Sequence, residues 1–324
     1  MYKVAFIGAC GHVYNVFDVL HSRDDIVICG ISKGSELEEM DSFHAFLQKE
    51  GYNPRVYADY RELLDQEKPD IAVVSTLFGV CADISIECLH RNIHVMSEKP
   101  VAATLIELDE LEKAAKNSKA VFCAMHFLRH HPAFYTAGEL IKDGCIGQVR
   151  LINVQKSYKF GTRPAWYAQR ELYGGTIPWV GIHAIDWMYH YISLSLGESP
   201  VLNAVSALHH GSPEMYALCQ YRFQNDVIAS VSIDFLRPSG ADSHGDDRSR
   251  VVGTDGVVEV QKGKVHLITK DFRGEVPLAK APDLTEEFFK KIEGKKNQCI
   301  PALEIFEITR LALLARDAAD VSNQ

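Results

Sequence analysis

The chain has 324 residues, a length that suits two domains and a sizeable buried core without disulfide or metal staples. Lys and Arg number 34 against 43 Asp and Glu, a net charge of −9 that argues against a nucleic-acid binder built on phosphate contacts and against a polybasic membrane anchor. A hydrophobic content of 47% with 24% charged residues excludes a largely disordered chain.

Over the first 125 residues, apolar runs at Val4–Ile7, Ile26–Ile31, Ile71–Ser75, His94–Met96 and Val121–Ala124 alternate with helical periodicity, as at Leu105, Leu108 and Leu111. Strands that are apolar on successive residues predict a doubly wound parallel sheet covered on both faces, with a ligand at its carboxyl strand ends. From Pro132 the pattern changes. An amphipathic helix over Phe134–Lys142 leads into alternating runs at Val149–Tyr158, Val201–His209, Tyr216–Phe223, Val227–Phe235 and Val251–Gln261, with a second helix after Thr176. These predict an α+β domain around a mostly antiparallel open sheet. The expected organisation is an α/β domain over 1–125 and an α+β domain over 126–324, with a closing helix at 301–320. The polar, glycine-rich stretch Arg237–Arg248 is expected to be a mobile loop, placed to act as a lid if it lies near a cleft. No apolar stretch approaches the ~20 residues of a membrane span, and the short run after Lys3 lacks the length and cleavage site of a signal peptide. Eight cysteines without a C-x-x-C pair read as reduced thiols, so the expected location is the cytoplasm.

Gly8-Ala9-Cys10-Gly11-His12-Val13 follows the first predicted strand and precedes a helical pattern, the context of a Rossmann dinucleotide turn. Against G-x-G-x-x-G, Cys10 and Val13 stand at the second and third glycine positions. The acidic residue expected about 20 residues on is replaced by Ser32 and Lys33. A hydroxyl followed by a cation suits a 2′-phosphate better than a carboxylate does, which favours NADP over NAD, and a solvated turn without ribose contact is the alternative. Glu98-Lys99-Pro100 follows the strand at His94–Met96, where a lysine can hydrogen-bond a substrate oxygen and favour negative charge on it.

These motifs, with Arg129-His130-His131-Pro132, Ile141-Lys142-Asp143-Gly144, Tyr173-Gly174-Gly175 and Gly181-Ile182-His183-Ala184-Ile185-Asp186, occur in an order that resembles the Gfo/Idh/MocA oxidoreductases, the family of glucose-fructose oxidoreductase and inositol dehydrogenase. The resemblance implies a nicotinamide cofactor, NADP or NAD, held by Gly8, Cys10, Gly11, His12, Val13, Ser32, Lys33, Thr76, Leu77, Phe78, Glu98, Lys99 and Pro100. It implies catalysis by Lys99, which touches nicotinamide and substrate, and by His183 as proton donor or acceptor. It also implies a second domain that binds substrate and joins chains into a homodimer or homotetramer. Two departures stand out. Trp179 replaces the aspartate that many members place four residues before the histidine, and Thr76-Leu77-Phe78 with Cys81 replaces the usual Thr-Pro-Asn and histidine.

Lys159-Phe160-Gly161-Thr162-Arg163-Pro164-Ala165-Trp166-Tyr167 is predicted to overhang the cleft. Aromatic faces stack on sugars and a guanidinium forks onto a carboxylate, so Tyr158, Arg163, Trp166, Tyr167, Trp179 and His183 are the candidate substrate contacts. His183, Asp186 and His190 share a helix face at ligand spacing, but no metal is expected there. The expected function is hydride transfer between nicotinamide and a hydroxyl of a sugar, cyclitol or sugar acid, with no nucleic acid or membrane partner. The alternatives are nicotinamide-assisted elimination in the same fold and a non-catalytic dinucleotide or sugar binder.

Overall fold

In the computed structural model, which describes residues 1–322, the first strands are buried on both faces, as their unbroken apolar runs require. In chain order the elements are β1 (Tyr2–Ile7), α1 (Phe17–Leu20), β2 (Ile26–Ser32), α2 (Asp41–Lys49), β3 (Arg55–Tyr57), α3 (Tyr60–Glu67), β4 (Ile71–Val74), α4 (Cys81–His90), β5 (His94–Ser97), α5 (Leu105–Asn117) and β6 (Phe122–Ala124). All six strands are parallel, in the order β3-β2-β1-β4-β5-β6. Strand order reverses between β1 and β4, and it is outside the carboxyl strand ends at such a reversal that doubly wound sheets take their ligands. The short β3 is not announced by the sequence because Arg55 and Val56 both face solvent.

The chain continues with α6 (Pro132–Lys142), β7 (Val149–Ser157), α7 (Arg170–Tyr173), α8 (Ile182–Leu196), β8 (Leu202–His210), β9 (Tyr216–Phe223), β10 (Ile228–Asp234), β11 (Arg248–Gly253), β12 (Gly256–Gln261), β13 (Lys264–Thr269), β14 (Arg273–Val276), α9 (Leu284–Ile292) and α10 (Ala302–Ser322). The strands from β7 onward make one sheet, β14-β13-β12-β11-β7-β10-β9-β8, antiparallel except for the pair β7 and β10. The run Val251–Gln261 is two strands rather than one, broken at Thr254 and Asp255, where the Asp255 amide donates to the Ile146 carbonyl at 2.9 Å. Strands β13 and β14 and helix α9 extend the fold beyond the elements read from the sequence.

The chain forms two units. The first takes Met1–Met125, Glu171–Gly174 and Asp283–Glu307, and the second takes His126–Arg170, Gly175–Pro282 and the residues from Ile308 onward. In the first unit α9 sets Phe289 against Tyr2, with ring centroids 5.8 Å apart, and Arg23 reaches Glu293 at 2.5 Å while lying over the Phe289 ring. Phe306 stacks on Phe122 at 5.4 Å. In the second unit α6 and α8 cover one face of the sheet, with Phe134 and Trp187 stacked at 3.6 Å. Gly181, just before α8, lies against β10 so closely that a Cβ would overlap the end of the Ile233 side chain, which would have to shift to admit a larger residue. The opposite face of the sheet carries exposed Leu151, Leu208, Leu218 and Ile228.

Asp186 on α8 has no exposed surface, and its carboxylate is held by the Arg129 guanidinium, with Nε donating at 3.0 Å. Truncating one member of such a pair strands the other charge without solvent. Arg129→Ala is expected to lower the unfolding free energy by about 3–5 kcal/mol, read from urea denaturation by tryptophan fluorescence. A loss below about 1 kcal/mol would show that Asp186 finds another partner.

Candidate active site

The turn after β1 is stitched to both neighbouring strand ends. The Gly8 amide donates to the Ser32 carbonyl at 2.8 Å and the Cys10 amide to the Ser75 carbonyl at 2.6 Å. Gly8 and Gly11 have φ of +76° and +66°. A Cβ at Gly8 would lie 2.6 Å from the Ser75 carbonyl oxygen, and one at Gly11 would overlap the Glu98 carboxylate. Glycine at these two positions is therefore required by conformation and by space.

Glu98, with no exposed surface, accepts from the His12 amide at 2.6 Å, pairs with His12 Nδ1 at 2.8 Å and accepts from the Lys99 amide at 3.0 Å. Burial alone would raise its carboxyl, but the His12 ring and the Lys99 ammonium hold it below the ordinary carboxylate value. Lys99 is 1% exposed. The segment beyond Pro100 ends in a capping box, in which Thr104 Oγ1 accepts from the Glu107 amide at 3.2 Å and the Glu107 carboxylate accepts from the Thr104 amide at 3.0 Å. The lysine is thus carried on a loop fixed at both ends.

Ser32 and Lys33 both make contacts within their own segment. The Ser32 hydroxyl is buried and donates to the Lys33 carbonyl at 3.0 Å, and the Lys33 ammonium pairs with Glu36. The carboxylate at this corner is Glu38, which sequence reasoning missed. One of its oxygens, Oε2, accepts from the Gly34 amide at 2.8 Å, the Ser35 amide at 2.9 Å and Thr76 Oγ1 at 2.7 Å. The other meets the Cys10 thiol at 3.3 Å. Burial and then Glu38 push the Cys10 thiol far above its ordinary value, so Cys10 stays protonated. Leu77 and Phe78 are buried, and the Phe78 ring centroid lies 6.4 Å from that of Tyr173. Val13 is buried at the start of the following helical turn.

In the second unit His183 is 2% exposed on the first turn of α8. Trp179 lies one segment earlier, in a π-helical turn over Ile177–Gly181, and its indole packs against the core. The Asp186 carboxylate of the expected ligand face is taken by Arg129. Among the described residues, ligand-type atoms approach one another closely at His209, Glu214 and Asp320, and there the Arg170 guanidinium bridges Glu214 at 2.6 Å and Asp320 at 2.9 Å. Arg163 lies over the rings of Phe160, Tyr167 and Phe235, 5.0–5.9 Å from their centroids. Its Nε is buried and has no hydrogen-bond partner among the described residues. Trp166 and Tyr167 pack on each other at 4.5 Å.

Next to these, Lys156 points inward from β7 with no exposed surface. Its ammonium meets Asp247 at 2.5 Å and lies over the rings of Tyr158 and Trp187 at 4.6 and 5.2 Å. Tyr158 and Asp247 line a polar cavity of about 660 Å³ with His131, Arg237 and Arg248. The segment expected to be a mobile loop is tied down in the structure: Lys159 Nζ donates to the Ser239 and Ala241 carbonyls at 2.9 and 2.5 Å, and Arg237 Nε donates to the Ser243 carbonyl at 2.9 Å.

Residues 2–126 match the model of an oxidoreductase family with an NAD-binding Rossmann fold, and residues 134–259 match the GFO/IDH/MocA C-terminal domain. The solved structure of a Thermotoga maritima protein described as an oxidoreductase shares 38% identity, with a TM-score of 0.92 over 99% of this chain and 98% of that one. The chain belongs to the Gfo/Idh/MocA oxidoreductase family. Its curated relatives in this family include trans-1,2-dihydrobenzene-1,2-diol dehydrogenase of Xenopus tropicalis, 22% identical over 64% of this chain and 60% of that one. Another is 1,5-anhydro-D-fructose reductase of Ensifer adhaerens, 25% identical over 67% and 66%. The match thus spans about three fifths of the first of these relatives' own length. A levoglucosan dehydrogenase solved with NADH and L-sorbose shares the Gfo/Idh/MocA fold at a TM-score of 0.80 over 99% of this chain and 97% of that one, with 16% identity. Within this Gfo/Idh/MocA chain, Lys156 had a signal that sequence reading passed over: a lysine on the inward register of a strand between Val154 and the helices.

Burial pulls the Lys156 ammonium down to about 8, against the pull of Asp247. Between that value and the ordinary lysine value of ~10.4 the folded chain holds fewer protons at this site than the unfolded one, so its contribution to stability rises with pH across the window. The rise amounts to roughly 3 kcal/mol at most. The unfolding free energy of the wild type, measured in urea, is expected to gain on that of Lys156→Met between pH 7.5 and pH 10. Parallel pH courses for the two proteins would remove the assignment.

Proposed function

We propose that the protein is an NAD(P)-dependent oxidoreductase that moves a hydride between nicotinamide and a hydroxyl-bearing carbon of a sugar, cyclitol or sugar acid. The observation that carries this reading is the clasp of Glu98 on the glycine turn, which fixes the Lys99 loop to the corner where a dinucleotide enters a doubly wound sheet. The residues fit a dinucleotide. Two left-handed glycines shape the turn at the reversal of strand order, and the Cys10 side chain, at the second glycine position, is folded against Glu38. A bound nicotinamide supplies the hydride acceptor or donor. Lys99 donates a hydrogen bond to the reacting oxygen and stabilises its negative charge, and His183 takes or returns the proton. Arg163, a guanidinium on three aromatic rings with a buried Nε and no carboxylate partner among the described residues, supports a substrate bearing a carboxylate.

The reading extends to assembly. On the outer face of the second unit's sheet Leu208 lies opposite Leu218, and Ile228 opposite Leu151, two exposed apolar pairs on one face, with Leu218 in register with Ser232 and Ile228 with Arg222 between them. Covering them with a second copy would remove this surface from water, which supports a homodimer or homotetramer.

Two measurements check these statements. With sugars, cyclitols and sugar acids screened by NAD(P)H absorbance, Lys99→Met is expected to lower turnover at least 100-fold while NAD(P)H binding stays within a few-fold of wild type; unchanged turnover would dismiss the role given to Lys99. Elution in size-exclusion chromatography with light scattering at micromolar concentration is expected at twice or four times the chain mass, and a strict monomer is the contrary result.

A further inference from the structure

The carboxylate that a doubly wound sheet normally offers to the adenosine ribose sits at the end of the second strand, and β2 has none. It ends in Ser32 and Lys33, whose hydroxyl and ammonium are engaged by the Lys33 carbonyl and by Glu36. Six residues beyond Ser32, Glu38 returns its carboxylate to the same corner. Its position is fixed by donors from two strand ends: Gly34 and Ser35 from the segment after β2, and Thr76 from the segment after β4. These three donors all bind one oxygen. The other oxygen, Oε1, is turned toward the glycine turn, 2.9 Å from where a Cβ on Gly8 would stand, and meets the weak thiol donor of Cys10 at 3.3 Å. Gly34 makes the approach possible, since a Cβ there would overlap Thr76.

We infer that Glu38 is the ribose-binding carboxylate of this protein and that it selects NAD over NADP. The inference rests on the reading of the crevice as a dinucleotide site. A carboxylate with one oxygen anchored and the other presented beside Gly8 accepts from vicinal ribose hydroxyls. A 2′-phosphate in the same place would bring like charge against an acid that is 9% exposed, where solvent screens poorly. The same three donors would also serve a carboxylate that only caps the Gly34–Ser35 turn. The two roles separate in Glu38→Gln, because the amide oxygen keeps the cap while the charge and the second acceptor are lost.

The experiment is a fluorescence titration of NADH and of NADPH into the wild type and Glu38→Gln, with thermal melts run alongside. Wild type is expected to bind NADH at least tenfold more tightly than NADPH. Glu38→Gln is expected to weaken NADH about tenfold and leave NADPH unchanged or tighter, so that the ratio approaches one. Equal wild-type affinities, or a Glu38→Gln variant that weakens both cofactors by the same factor, would overturn the selection and leave the cap, with the dinucleotide reading intact. Binding of neither cofactor at millimolar concentration would overturn that reading and this inference together. If Glu38→Gln melts at room temperature, Glu38→Asp replaces it: the shorter acid is expected to weaken NADH and still exclude NADPH, and entry of NADPH would count against Glu38.

Discussion

Glu98 has no exposed surface and stays ionised, because the His12 ring, the Lys99 ammonium and two backbone amides surround it. A carboxylate in that position is strongly unfavourable without such partners, so the glycine turn and the lysine loop can each be in place only when the other is. Gly11 belongs to the same constraint, since any side chain there would enter the space of the Glu98 carboxylate. The motif at 98–100 is thus one structural object with the turn at 8–12, although about 90 residues separate them in the chain. Ser75 repeats the arrangement on a smaller scale, its amide bonded to Ile7 and its hydroxyl to the Cys10 carbonyl.

The two buried charges of the second unit illustrate different solutions to the same problem. Asp186 is neutralised by a planar guanidinium that donates from more than one nitrogen, and the pair fastens α8 to the turn that precedes α6. Lys156 has a single carboxylate and two aromatic faces, a weaker environment for a compact ammonium, and its proton is accordingly held less tightly. The first arrangement fixes geometry. The second leaves a titratable amine beside a polar cavity lined by Tyr158 and Asp247.

The sequence made the fold legible wherever burial was two-sided or strictly alternating: β1, β4, β9 and β10 are continuous apolar or alternating runs, and the family motifs fell on the crevice loops. It was silent where burial was slight. Strand β3 buries only Tyr57, β14 has no buried residue, and the break at Thr254–Asp255 is made by backbone hydrogen bonds that leave no hydrophobic trace. At the candidate site, Gly8 and Gly11 were readable from spacing because backbone conformation dictates them, Lys99 from its place just after a strand, and Glu98 from the family motif. Glu38 was not, because its place depends on a loop folding back over six residues, which no periodicity encodes. The stretch Arg237–Arg248 misled for a related reason: polar composition suggests mobility, while Lys159 and Arg237 spend their donors on its carbonyls.

The first unit is not a continuous stretch of chain. Tyr2, Arg23 and Phe122 find their ring and charge partners in Phe289, Glu293 and Phe306, and residues 171–174 also belong to it. During synthesis these early side chains therefore wait, exposed, until residues 283–307 have left the ribosome. A ribosome-bound fragment ending at Met125 would have its sheet but an uncovered apolar edge, and sequence separations of this size slow the final closure.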